Sequence, residues 1–169
     1  MKLTLYMAIS IDGLITKDSN DSDWVSDTDW NEFYSYIQAS DAVIMGKHTM
    51  EQFGEDFPIE GPANIVLSHD KSQHTTQDKL VIMDGSPENI IQLAKSNNWE
   101  RLLLIGGENT NSQFAKAGLI DEIVLSIHPL AIGSGLSILG KEPLDLKLKP
   151  LSTKIINEEL VQVRYQVLK

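Results

Sequence analysis

Leu102, Leu103, Leu104 and Ile105 run without a polar break into Gly106 and Gly107. A run with no wet face predicts a strand buried on both sides, the centre of a parallel or mixed α/β sheet. Behind the glycines, Asn109, Thr110, Asn111 and Ser112 each offer a helix N-cap, and Phe114, Ala115, Ala117 and Leu119 follow at helical spacing. Similar apolar segments precede it. Residues 3–10 read as a first strand, ending in a turn at Asp12-Gly13. Trp30, Phe33, Tyr34 and Ile37 form a helical stripe that Ser26 or Asp27 would cap. Residues 41–45 are a second buried strand closed by Gly46-Lys47-His48-Thr49, with a short helix through Met50 and Phe53. Residues 63–67 and 80–83 are further strands, separated by a polar loop over 71–79. Ser86, with Pro87 at the first helical position, opens a helix through Ile90, Ile91, Leu93 and Ala94.

The end of the chain changes period. A long strand over 122–130 and a loop over 131–136 with two glycines are followed by alternating segments at 152–156 and 160–168, with Asn157-Glu158-Glu159 between them. Alternation of period two on both sides of a polar turn predicts an antiparallel hairpin. The pattern as a whole predicts one α/β domain over residues 1–169, a mixed, mostly parallel sheet with helices on both faces and a C-terminal hairpin. Residues 16–29 are polar and rich in aspartate, a long loop of the kind that is often functional.

Composition narrows the function classes. A formal net charge of −10 argues against a general nucleic-acid or anionic-membrane surface. The absence of cysteine excludes disulfides, thiolate metal sites and a cysteine nucleophile. No apolar run approaches the ~18 residues a membrane helix needs, and no signal peptide is read, so a cytoplasmic protein is expected. His48, His69, His74 and His128 show no metal-ligand spacing, so no metal is expected.

Three strand ends carry glycine or polar residues: Gly46 to Thr49, Ser68-His69-Asp70, and Gly106-Gly107. Ligands of open α/β sheets bind at the carboxyl ends of strands, so these ends form a plausible nucleotide crevice. Lys47, His48 and Thr49 suit a phosphate, as does the helix start behind Gly107. Neither the G-x-G-x-x-G fingerprint nor a Walker loop occurs. Two carboxylates stand out by position. Asp12 follows the first strand, and Asp29 opens a helix beside aromatic residues that would desolvate it and raise its pKa toward proton transfer.

The order of these motifs resembles the dihydrofolate reductase superfamily, and more closely its branch with the C-terminal reductase domain of riboflavin biosynthesis. The matching pieces are residues 10–13, 43–49, 64–68, 105–107, 118–123 and 128–135. The resemblance implies an eight-stranded sheet, NADPH as hydride donor, a small-molecule substrate and a homodimer. It implies that Gly46, Lys47, His48 and Thr49 hold phosphates, with Ser68 on the adenosine side. Gly106, Gly107, Asn109 and Thr110 would hold the pyrophosphate, with a cis peptide between the two glycines. Ala8 and Ile9 would face the nicotinamide. Asp29 sits near the catalytic carboxylate position of the folate enzymes, five residues after Trp24, and Ser126 matches their active-site strand threonine. Asp12 is the other expected proton source.

The Asp12-Gly13 turn and the Gly133-Ser134-Gly135 loop follow the riboflavin branch, which argues against dihydrofolate as substrate. Only two arginines exist, Arg101 and Arg164, so a ribose phosphate lacks obvious bidentate partners. No zinc deaminase signature precedes the domain, which is expected to stand alone. The expected activity is reduction of a small heterocyclic or sugar-derived C=N or C=O group. The alternatives are a nucleotide-binding sensor without chemistry and a hydrolase built on Ser68.

Overall fold

The computed structural model describes residues 1–18 and 21–169. The chain runs β1 (Lys2–Ser10), α1 (Asp27–Gln38), β2 (Ala42–Gly46), α2 (Lys47–Phe53) and β3 (Ala63–Leu67). It continues through β4 (Thr75–Gln77), β5 (Leu80–Met83), α3 (Pro87–Ser96), β6 (Arg101–Leu104) and α4 (Glu108–Lys116). It ends with β7 (Glu122–His128), β8 (Lys147–Ile156) and β9 (Leu160–Leu168). The strands form one sheet in the order β4-β5-β3-β2-β6-β1-β7-β9-β8. The unbroken apolar run is therefore the middle strand, paired in parallel with β1 and β2.

Both faces of that strand are covered, and period two divides its side chains between them. Leu102 and Leu104 pack with Leu3, Leu5, Ile44 and Ile65 beneath Ile90 and Ala94 of α3 and Phe114 of α4. Leu103 packs with Tyr6, Val43, Met45 and Val66 against Ile37 and Phe33 of α1 and Met50 and Phe53 of α2. This explains why alternation is absent from the inner strands and returns only in the C-terminal hairpin.

Three elements differ from expectation. The polar loop at 71–79 contains β4, a ninth strand beyond the eight implied. It pairs antiparallel with β5 at the sheet edge, where backbone hydrogen bonds suffice and no apolar residue marks it. α4 starts at Glu108, with Gly107 as N-cap, so none of the cap residues at 109–112 is used. β8 starts at Lys147 rather than 152 and passes Pro150, where the register shifts by a bulge. The Phe57–Pro58 and Gly106–Gly107 peptide bonds are cis, the second as implied by the resemblance. No helix among the described residues is long and apolar enough to cross a membrane.

Candidate active site

The carboxyl ends of β1, β2 and β6 open into a cavity of about 710 Å³. Tyr6, Met7 and Ala8 of β1 meet it, as do Ile105 and Gly107 beyond β6. Trp30 and Phe33 of α1, with Thr49 and Phe53 of α2, contribute one wall. Ile15, Thr16 and Leu136 contribute another.

One end is built from bare backbone. The Gly46 N–H donates to the Gly106 carbonyl at 2.8 Å, stitching the ends of β2 and β6 together. A Cβ on Gly46 would lie 2.7 Å from Thr110 Oγ1, so only glycine lets these segments approach so closely. Gly106 has φ +107°, which other residues rarely adopt. No side chain caps α4, so its first-turn N–H groups keep their capacity for an acceptor. Glu108 leaves that helix start clear. Its Oε1 accepts from the backbone N–H of Ser137 at 2.7 Å and from the Ser137 hydroxyl at 2.8 Å. N–H groups at the positive end of a helix, beside a glycine-lined surface, suit an extended phosphate group.

Of the residues expected to hold a cofactor, Ala8, His48, Thr49 and Gly107 line the cavity. Gly46, Gly106 and Thr110 stand directly behind Gly107 and Thr49. The others do not line it. Ile9 is buried. Asn109 is exposed. Lys47 Nζ lies 3.9 Å from Glu51 and 3.7 Å from Asp70. Ser68 is buried, with its hydroxyl accepting the Asp70 N–H at 3.1 Å. His69, which follows Ser68, is solvent-exposed and pairs with Asp84, so no hydrolytic triad forms at Ser68.

The other end is acidic and aromatic. Asp29 enters in the first turn of α1, where the N-cap Ser26 accepts its N–H at 3.3 Å. The residue is 2% exposed yet reaches the cavity. The Tyr6 hydroxyl donates to Asp29 Oδ1 at 2.5 Å and lies 2.9 Å from Ser126 Oγ. Gln162 Nε2 donates to the same Ser126 oxygen at 3.4 Å. Burial pushes the Asp29 carboxyl above the usual carboxylate range, against the lowering effect of the Ser126 and Tyr6 hydroxyls. Burial also pushes Tyr6 well above its ordinary value, and the Asp29 charge adds to this. Tyr6 therefore stays protonated and acts on Asp29 as a donor.

His128 braces this network from behind. Its Nε2 accepts the Ser26 N–H at 3.2 Å, which leaves the proton on Nδ1, facing the Ser126 carbonyl at 3.3 Å. Trp24 stacks edge-on against its ring at 5.1 Å.

Asp12 and Ser126, the other expected catalytic residues, lie outside the cavity lining. The Asp12 carboxylate accepts from the Ser10 hydroxyl at 2.6 Å and from the N–H groups of Gly133, at 2.7 Å, and Ile132. These donors, Ser10 foremost, hold its pKa down at about 2, so it is a poor proton source. It is a latch between the end of β1 and the 131–136 loop. Ser126 is wholly buried and touches Tyr6 rather than the cavity, a positioning role. Tyr6 and Gln162 were not marked by the sequence. Each sits in a strand with other polar residues, Thr4 and Ser10 in β1 and Arg164 and Gln166 in β9, so no single signal set them apart.

A family model described as the RibD C-terminal domain matches residues 1–162. The uncharacterized protein YwjB of Bacillus subtilis (strain 168) is 26% identical over 170 residues, covering 97% of each chain. The diaminohydroxyphosphoribosylaminopyrimidine deaminase/5-amino-6-(5-phosphoribosylamino)uracil reductase of Thermotoga maritima superposes with a TM-score of 0.80 at 17% identity, over 99% of this chain and 56% of that one. A dihydrofolate reductase of Enterococcus faecalis, solved in complex with NADP(H), superposes with a TM-score of 0.74 at 18% identity, over 99% and 97%. At these identities the structural likeness establishes a shared fold.

Proposed function

The chain belongs to the RibD C-terminal domain family, and from that membership we propose that it is an NADPH-dependent reductase of a small heterocyclic or sugar-derived C=N or C=O group. Among named activities, the reaction is most similar to 5-amino-6-(5-phosphoribosylamino)uracil reduction. One observation carries the reading. A glycine-lined cradle suited to phosphate and a buried carboxyl group of raised pKa meet in a single cavity.

A reduced nicotinamide supplies a hydride to the carbon of the double bond when bound, and the proton for the nitrogen or oxygen comes from the protein. Gly107 and the first turn of α4 would hold the diphosphate through backbone N–H groups, with the Thr49 hydroxyl beside them and Gly46 leaving the room behind. Ala8, whose side chain is small, leaves room for a flat ring beside β1. Asp29 holds the proton on Oδ2, because Oδ1 is engaged by Tyr6. After the proton has left, the Tyr6 hydroxyl stabilises the carboxylate, and Ser126 and Gln162 keep Tyr6 aimed at it. Trp30, Phe33 and Phe53 exclude water from the reacting bond.

The test is NADPH consumption against a panel of pteridines and of aminouracil ribitol and ribose phosphates, each with and without its phosphate. Oxidation with at least one of them is expected. Oxidation with none would contradict the reading and favour a nucleotide sensor.

A further inference from the structure

We infer that the compound reduced in this cavity carries no phosphate group: it is a planar heterocycle that is neutral or itself cationic. This rests on the reductase reading and concerns the substrate end of the same cavity.

Three carboxylates line the cavity: Asp29 in its buried network, and the exposed Asp23 and Asp56. Among the described residues no lysine or arginine lines it, and the two remaining residues, Ser19 and Asn20, carry no positive charge. The two arginines are committed at the opposite ends of the strands. Arg101, at the start of β6, pairs with Asp41 at 3.1 Å, and Arg164 pairs with Glu122, at the start of β7, at 2.8 Å. Among the described lining residues His48 is the one histidine, and its Nδ1 lies 3.1 Å from Glu51.

A phosphate monoester needs guanidinium or ammonium groups, or the N–H groups of a helix start. The starts of α1, α2 and α4 stand beside the cavity, and that of α2, whose N-cap Gly46 is bound to Gly106 and whose Thr49 lies against Gly107, is part of the cofactor cradle. That of α4 belongs to the same cradle. That of α1 is capped by Ser26 and carries Asp27 and Asp29 in its first turn, so carboxylates already occupy its positive end. An added dianion would face the Asp23 and Asp56 carboxylates with no lysine or arginine beside it among the described lining residues. A flat ring without charge meets a suitable surface instead. Trp30 stands 5.5 Å from Phe33 and 6.3 Å from Phe53, both nearly edge-on, and the Asp29 proton is available to a ring nitrogen or carbonyl.

The test uses matched pairs on the full-length protein saturated with NADP⁺. The probes are 5-amino-6-(5-phosphoribosylamino)uracil against the same compound without its phosphate, and riboflavin 5′-phosphate against riboflavin. Binding is read by isothermal titration calorimetry, and NADP⁺ binding is read separately. The unphosphorylated member of at least one pair is expected to bind ten-fold or more tightly than its partner. Replacing both rim carboxylates, Asp23→Lys with Asp56→Lys, is expected to narrow that ratio several-fold by tightening the phosphorylated member alone. Equal or tighter binding of the phosphorylated members overturns the inference, as does a cofactor-loaded cavity that takes neither member of either pair. Failure of NADP⁺ itself to bind strikes the reductase reading instead.

Discussion

Asp29 illustrates how a residue type becomes chemistry through its neighbours. In the first turn of a helix a carboxylate is ordinarily solvated and stabilised by the dipole. Here the side chain is buried against Tyr6, and desolvation outweighs the hydrogen bonds that favour its charge. Asp29→Asn is expected to leave NADPH affinity unchanged and to lower kcat by ~10²-fold, measured by NADPH consumption. The sign of its stability effect also follows. Because the folded-state pKa is raised, the native protein loses stability as pH rises from the unfolded value, 3.8, through the folded one. The asparagine variant escapes that loss, so its Tm should exceed that of the wild type at neutral pH and converge with it in acid. A second prediction concerns the hydroxyl. Tyr6 lowers the Asp29 pKa by donating to its charged form, so Tyr6→Phe should move the alkaline fall of kcat to higher pH. An unmoved profile would show that Tyr6 does not address the acid. Asp29 was legible in the sequence through its aromatic neighbours Trp30 and Phe33. Tyr6 was not, because a tyrosine in an apolar strand reads as core, and only the fold brings its hydroxyl to Asp29 across 23 positions.

At the scale of elements, the inner strands and their helices were legible because burial on both faces removes alternation and leaves apolar runs between caps and glycines. β4 was illegible because an edge strand of three residues needs only backbone pairing. The Asp12 latch was illegible for a related reason: its partners at 132 and 133 are backbone N–H groups some 120 residues away. It fastens the wall that contains Ile15, Thr16 and Leu136. The Ile15 N–H donates to the Leu136 carbonyl at 2.8 Å, and the Leu136 N–H donates to Thr16 Oγ1 at 3.2 Å. Asp12→Ala should therefore loosen the wall, raising substrate KM several-fold while leaving kcat near the wild-type value. A fall in kcat with unchanged KM would return Asp12 to the chemistry. With its pKa held at about 2, the latch contributes its stabilisation above pH 3.8 and loses it as pH falls toward 2.

For the molecule as a whole, the sheet separates two kinds of surface. Its middle strands end in the cavity, while its hairpin edge carries apolar side chains into solvent. The valines of β9 offer no face to a partner, because Val163 and Val167 are buried within the fold. Exposed apolar residues of the hairpin include Leu148, Leu151 and Ile155 of β8, an edge strand with no neighbour on its outer side among the described residues. We propose a homodimer formed through β8. Sedimentation should give twice the 18.8 kDa chain mass, and Leu151→Lys with Ile155→Lys should return it to the monomer. A wild-type monomer at high concentration would remove the proposal. The central claim is that the cavity takes the reduced dinucleotide, and one titration tests it most directly. Trp30 lines the cavity, so adding NADPH should quench tryptophan fluorescence saturably in the micromolar range. No saturable quenching up to millimolar NADPH would contradict the reductase assignment.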